Sequence, residues 1–200
     1  MYDYRKMTRE QRRKAVEYRR LRERLWHSPP HWEFAGLLQF MISGACYEHK
    51  HIIGVTPERM AECECELLDA CEQFATNVYA WCVLPNHYHL LVQTDRLKEL
   101  RAHLGKFHGR MSFKWNGEDN RRGRQVWHNC LDRGVKSHGH FWASVNYIHH
   151  NPVHHGYVEK WQDWPWSSAA GFIERVGHET ASKIWREYPV LDYGKKWDAD

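Results

Sequence analysis

Apolar and polar positions change period several times along the chain, and each change marks an element. From residue 4 to 26 apolar positions are sparse among Arg and Lys. This predicts a basic helix, broken at Ser28-Pro29-Pro30. Within 35–47 the apolar run Leu37-Leu38-Gln39-Phe40-Met41-Ile42 predicts a buried first strand. Thr56 followed by Pro57 is a helix start, and Met60, Leu67, Leu68, Cys71 and Phe74 keep helical spacing up to about Asn77. Val78 to Leu84 reads as a strand, Pro85-Asn86 as a tight turn, and His87 to Val92 as a second strand, together a hairpin. Asp95 can cap a helix from Leu97 to about Trp115, with Leu97, Leu100, Leu104, Phe107 and Met111 on its apolar face. Residues 116–124 are a polar, basic loop. Val126 to Val135 holds a last strand or bent hairpin. A helix then runs from about Ser137 to His150 and closes at Asn151-Pro152, because proline disfavours helical geometry in the residue before it. The remainder, 153–200, is Trp-rich and irregular.

The order β-α-β-β-α-β is that of an α+β, ferredoxin-like split βαβ fold: an antiparallel sheet with helices on one face. Three regions are expected: a basic helical arm over 1–30, a body over 31–172 and an extension over 173–200. There is no internal repeat.

Charge adds a partner class. The formal net charge is only +4, but residues 1–24 carry ten Lys/Arg against four Asp/Glu, and 101–140 carry nine against three. Two such blocks point to a polyanion such as nucleic acid, or are two solvated helix faces. Eleven Trp can fill a core or stack on bases. No apolar leader or membrane-length run stands in the sequence, so a cytoplasmic protein with reduced thiols and no membrane partner is expected. Cys63-x-Cys65 on a helix splits its thiols between faces, so these read as helix and core thiols.

Two stretches carry chemistry. In Pro85-Asn86-His87-Tyr88-His89-Leu90, strand alternation puts His87 and His89 on one face and Tyr88 on the other. Two imidazoles on one rigid strand can share a metal ion, or can be ordinary polar residues at a strand start. In Tyr147-Ile148-His149-His150-Asn151-Pro152, Tyr147 and Asn151 are one helical turn apart. A phenol is a weak nucleophile at neutral pH. A nearby divalent cation would assist its attack on phosphorus by stabilising charge on the phosphate. There is no His-Glu-x-x-His for a zinc hydrolase.

Trp81-Cys82-Val83-Leu84-Pro85-Asn86-His87-Tyr88-His89-Leu90-Leu91-Val92 resembles the signature of the single-tyrosine HUH transposases, in which two histidines flank a hydrophobic residue. Tyr147 to Val158, followed by Trp164-Pro165-Trp166-Ser167-Ser168, resembles the branch called REP-associated tyrosine transposases. That branch shows a tyrosine, three residues, Asn-Pro-Val, a glycine, an apolar pair and a Pro-Trp-Ser-Ser box. The resemblance spans roughly residues 35–172. It implies His87, His89 and Asn151 as ligands of Mg²⁺ or Mn²⁺, and Tyr147 as the nucleophile. Single-stranded or hairpin DNA is the implied substrate, nicked to a 5′-phosphotyrosine and a free 3′-hydroxyl by a monomer or homodimer. A hairpin-binding regulator without catalysis is the alternative. Tyr88 stands where many relatives have an aliphatic residue, and Tyr157 falls at an apolar position and reads as packing. Arg101, Lys106, Arg110, Arg121, Arg122 and Arg124 are the expected DNA contacts.

Overall fold

The computed structural model describes residues 38–190 together with Thr8 and Glu10. The arm expected over 1–30 lies outside the described residues. The chain divides into two compact units, Met1–Ala35 and Gly36–Asp200, and every element below belongs to the second. In chain order it has β1 (Leu38–Ala45), α1 (Pro57–Glu72), β2 (Asn77–Val83), β3 (His87–Thr94), α2 (Leu97–Glu118), β4 (Leu131–Gly134), α3 (His138–His154), α4 (Ala169–Val176) and α5 (His178–Glu187).

The sheet order is β2-β3-β1-β4, and all neighbours are antiparallel. This is the split βαβ arrangement expected from the alternation of elements. β3 is central and buried along nearly its whole length. Its two faces meet different layers. Tyr88 turns toward α2, where its ring lies against Phe107. Trp81 of β2 turns the same way and donates its indole N–H to Glu64 of α1, 2.8 Å. α1 and α2 therefore cover one side of the sheet, here the helix face. α3 lies over β2 and β3 on the other side, the site face. The core between sheet and helices is built from fully buried Leu67, Leu90, Leu100, Leu104, Phe107 and Trp115.

Helix boundaries follow local chemistry. The Thr56 hydroxyl accepts from Arg59 N–H at the start of α1, with Pro57 in the first turn. α1 stops at Glu72, earlier than its apolar stripe suggests. Asp95 does not cap α2; the Thr94 hydroxyl takes the Arg96 N–H instead, 2.8 Å. α2 also runs on to Glu118, into the stretch expected to be loop.

α3 departs most from expectation. It starts where Ser137 caps His140 N–H, but it continues through Pro152 to His154. Proline removes one helical donor and is ordinarily a breaker. Here Asn151 and Pro152 are both buried, so packing holds the last turn. The helix closes only at Gly156, φ +72. There Tyr157 N–H donates to Pro152 O (2.9 Å) and Gly156 N–H to Val153 O (3.0 Å), the pairing of a Schellman close. The Trp-rich tail is also more regular than its sequence suggests, since α4 and α5 lie in it.

The open edge of β2 is covered by the Pro-Trp-Ser-Ser box. Val83 N–H donates to Trp166 O and Ser168 N–H to Trp81 O, with Ser167 bridged to Cys82. This pairs an edge that would otherwise be a template for aggregation. All six cysteines are free, and Cys46, Cys63, Cys71 and Cys82 are buried. Among the described residues no helix is long and apolar enough to cross a membrane.

Candidate active site

The turn before β3 is held from several sides. Cys46 N–H donates to Asn86 O (2.7 Å), and Gly54 N–H to Pro85 O (2.9 Å). A β-carbon on Gly54 would stand 2.3 Å from the Pro85 β-carbon, so only glycine admits this contact. The Asn86 carboxamide donates to His49 O, 3.1 Å. His49 and its neighbour Glu48 both adopt left-handed backbone, φ 50 and 55. Such residues cost about 1–3 kcal/mol each and persist where the surroundings over-determine them. The strain aims the His49 carbonyl at the side chain that in turn holds His87.

His87 and His89 are buried, 2% and 1% exposed, with ring centroids 4.9 Å apart on the site face. Each ring has its Nδ1 anchored: His87 to Asn86 Oδ1 and His89 to Ser43 Oγ, both 2.7 Å. Both are thereby oriented through the nitrogen that faces away from α3, as second-shell partners orient metal-binding histidines.

Along α3, Tyr147, Asn151 and His155 recur every four residues and so form one stripe. That stripe faces β3. The Tyr147 ring centroid is 5.2 Å from that of His89, and Tyr147 is 5% exposed. Asn151 Oδ1 is 3.0 Å from His87 Nε2. The His155 ring centroid is 5.1 Å from His87. The sequence reading passed over His155; its signal was the four-residue step from Asn151. His87, His89, Tyr147 and Asn151 thus come together within one chain.

His87 poses a proton question. Both its nitrogens face amide oxygens, Asn86 Oδ1 and Asn151 Oδ1, and a neutral imidazole carries one N–H. The Asn151 carboxamide can turn its NH₂ to Nε2, the ring can carry a second N–H, or Nε2 and Oδ1 can both serve a cation. Asn151 Nδ2 is buried with no hydrogen-bond partner among the described residues. Among those residues no three His, Cys, Asp or Glu side chains converge to hold an ion by themselves. The polar side chain of another type that faces His87 Nε2 is the Asn151 carboxamide.

His149 serves the frame. Its Nε2 is 2.9 Å from Ser168 Oγ, and its ring stacks on Trp161 at 5.6 Å. Burial pushes its pKa down to about 3, so it is neutral. Ser168 Oγ also accepts from Trp81 N–H, 2.9 Å. The box at 164–168 thus ties α3 to β2. Tyr157 packs on Trp164, ring centroids 5.3 Å apart.

The basic residues expected to meet DNA sit elsewhere. They lie on α2 and the loop after it, the layer behind the sheet from the histidines. Arg101 is ion-paired with Asp132 (3.1 Å), Arg110 with Glu66 (2.9 Å) and Arg124 with Asp119 (2.7 Å). Arg122 donates to Phe113 O, 2.6 Å, and lies over the Phe113 ring. Lys106 and Arg121 are exposed. Arg124 also donates to Asn116 Oδ1, 2.9 Å. Asp119 bonds the buried Arg59 as well, and these contacts hold its carboxyl down at about 2.

The fold has a solved counterpart. The solved structure of a REP-associated tyrosine transposase bound to a REP hairpin superposes with a TM-score of 0.58 at 17% identity, covering 75% of this chain and 87% of that one. A Haemophilus influenzae REP-associated tyrosine transposase is 31% identical over 140 residues, 60% of this chain and 73% of its own length. The chain belongs to the REP-associated tyrosine transposases. No family model matches it.

Proposed function

We propose that this protein is a metal-dependent enzyme that nicks and rejoins single-stranded DNA at hairpin repeats, through a 5′-phosphotyrosine on Tyr147. The observation that carries the reading is the meeting of Tyr147 with His89 and of Asn151 with His87 on one buried face of one chain. The structural relative bound to a REP hairpin supports hairpin DNA as the substrate class.

His87, His89 and Asn151 are the residues that would hold Mg²⁺ or Mn²⁺, and their spacing fits. Two ligand atoms about 2.1 Å from one octahedral ion and at right angles lie about 3.0 Å apart. His87 Nε2 and Asn151 Oδ1 are separated by 3.0 Å. Two imidazoles sharing an ion at about 2.1 Å place their centroids about 4.5–5.3 Å apart, and those of His87 and His89 are 4.9 Å apart. The bound ion would polarise the scissile phosphate and stabilise the charge that develops on it.

The protein's own residues do the rest. α3 carries Tyr147 to the phosphate as a fixed part of the fold, which lowers the entropic cost of attack. The phenol oxygen bonds to phosphorus as its proton leaves, and the bond from phosphorus to the 3′-oxygen breaks. The 3′-oxygen departs as a hydroxyl after taking up a proton. Rejoining is the reverse, with a 3′-hydroxyl attacking the phosphotyrosine, so the phosphodiester energy is conserved.

The test incubates hairpin DNA bearing single-stranded flanks with the protein and Mn²⁺, then resolves products on a denaturing gel. Wild type and Tyr157→Phe are expected to give a covalent adduct. Tyr147→Phe, His87→Ala and chelator each abolish it. An adduct that survives in Tyr147→Phe refutes the nucleophile. Hairpin binding with no adduct under any divalent ion favours the regulator.

A further inference from the structure

The direction of the Asn86 amide follows from its partners. Asn86 Nδ2 donates to the His49 carbonyl, 3.1 Å, and a carbonyl only accepts. The carboxamide is therefore fixed end to end, with Oδ1 toward His87 Nδ1 at 2.7 Å. An N–H satisfies an oxygen at that distance, and a bare ring nitrogen does not. The single N–H of a neutral His87 ring thus sits on Nδ1, and Nε2 carries a lone pair. His89 is built differently. Its Nδ1 meets the Ser43 hydroxyl, 2.7 Å, which donates or accepts and so leaves that tautomer open.

Asn86 is held against swinging away. It is 7% exposed, and its own carbonyl takes Cys46 N–H, 2.7 Å. The Pro85 carbonyl takes Gly54 N–H, 2.9 Å. His49, whose carbonyl the side chain meets, sits on left-handed backbone with its N–H closed onto Cys46 O, 3.0 Å.

On the other side of the ring, the Nε2 lone pair faces Asn151 Oδ1 at 3.0 Å. Two acceptors at that distance suit a shared cation. Without one they repel, and Asn151 Nδ2 is left buried with no partner among the described residues. A half-turn of the carboxamide removes both faults, because its nitrogen and oxygen have nearly the same shape. An N–H then donates to Nε2. A second proton on the ring would instead put a full charge on a side chain 2% exposed, beside the rings of His89 and His155.

We infer that Asn86 is a positioning residue that locks His87 as the Nδ1–H tautomer, and that the Asn151 carboxamide is its two-state counterpart, donating N–H to Nε2 in the metal-free protein and turning Oδ1 to a bound ion. The inference rests on the proposed reading of His87 and Asn151 as metal ligands. It adds how that set is kept ready: Nε2 carries no proton for an ion to displace, and Asn151 ties α3 to β3 before an ion arrives.

The test uses ¹⁵N-labelled full-length protein in EDTA at neutral pH. Long-range ¹H–¹⁵N correlation distinguishes protonated from bare ring nitrogens, and His87→Gln assigns the His87 signals. The metal-free wild type is expected to show His87 protonated on Nδ1 and bare on Nε2. Excess Mg²⁺ is expected to shift the Asn151 side-chain amide. Mn²⁺ affinity is read by electron paramagnetic resonance of the free ion. Asn86→Ala should move the His87 proton to Nε2 and weaken Mn²⁺ binding about tenfold. Asn86→Asp loses the His49 contact just as Ala does, yet keeps an acceptor for Nδ1–H. It should therefore keep the wild-type tautomer and bind Mn²⁺ at least as tightly as wild type.

His87 protonated on Nε2, or on both nitrogens, in the metal-free wild type overturns the lock. Equal loss of Mn²⁺ affinity in Asn86→Asp and Asn86→Ala overturns it too, because Asn86 then serves only the turn. An Asn151 amide unmoved by bound Mg²⁺ overturns its two-state role. If Asn86→Ala does not fold, the wild-type spectrum and Asn86→Asp decide. A wild type with the expected tautomer that binds neither ion refutes the metal reading and leaves the lock standing. Ion binding and adduct formation with a bare Nδ1 refute the lock alone.

Discussion

A β-carbon on Gly44 would stand 2.5 Å from the Tyr88 ring. The phenol between the two histidines is accommodated by this missing side chain. Its hydroxyl meets His108 Nε2 at 3.0 Å, and His108 stacks on Trp127 at 4.2 Å. Gly44→Ala is expected to destabilise the fold by about 1–3 kcal/mol, as overpacking does, and Tyr88→Leu in the same chain should recover most of it. Urea midpoints for the two single variants and the double measure this. His108 also gives a pH signature. Burial pushes its pKa down to about 4, below its unfolded value near 6.5. The unfolded chain therefore binds the proton first, so stability is full above about pH 6.5 and falls as pH drops toward 4. The loss from this group is about 2 kcal/mol by pH 5. His108→Gln, which keeps an acceptor for Tyr88, should flatten the dependence in urea titrations between pH 7 and pH 5.

At the scale of elements, period-two alternation in β3 was enough to put His87 and His89 on one face and Tyr88 on the other. The four-residue step from Tyr147 to Asn151 was equally readable. Hidden from the sequence was where α3 ends. Local rules stop it at Asn151-Pro152, yet the burial of both residues carries it to His154 and brings His155 beside His87. The tail hid its helices because its tryptophans serve the frame. Trp161 stacks on His149, and Trp164 donates its indole N–H to Val83 O, 2.8 Å. Two changes probe this element. Gly156→Ala forces a β-carbon onto left-handed backbone, at a cost of about 1 kcal/mol. Ser168→Ala removes the hydroxyl shared by half-buried Trp81 and buried His149 and should cost about 1–3 kcal/mol. Thermal melts check both.

At the scale of the molecule, the split βαβ topology could be read because each element kept its own period. The layer on which the basic residues fall could not. Arg101, Arg110 and Arg124 look like free cations in the sequence, but each has an acidic partner distant in sequence or folded back on it. Arg124 belongs with Arg59 and Asp119 in a network joining α1 to the end of α2. Exposed ion pairs add little stability, about 0–1 kcal/mol, so Arg110 can exchange Glu66 for a phosphate at small cost. Arg124, half-buried and held by both Asp119 and Asn116, gives up more by doing so. Substituting Arg110 by Gln should therefore lower the salt slope of hairpin binding by about one contact. Arg124→Gln should lower the melting temperature instead. Anisotropy titrations at several salt concentrations, paired with melts, separate the two.

The central claim is that Tyr147, placed by α3 against the β3 histidines, takes the 5′-phosphate. Its most direct test is to react the protein with hairpin DNA and Mn²⁺, digest the DNA and the protein, and sequence the peptide that carries the residual nucleotide by mass spectrometry. The account predicts one modified peptide, with the phosphate on Tyr147, absent when His89 is replaced by Ala. A nucleotide on Tyr157, or on any residue away from α3, would contradict it.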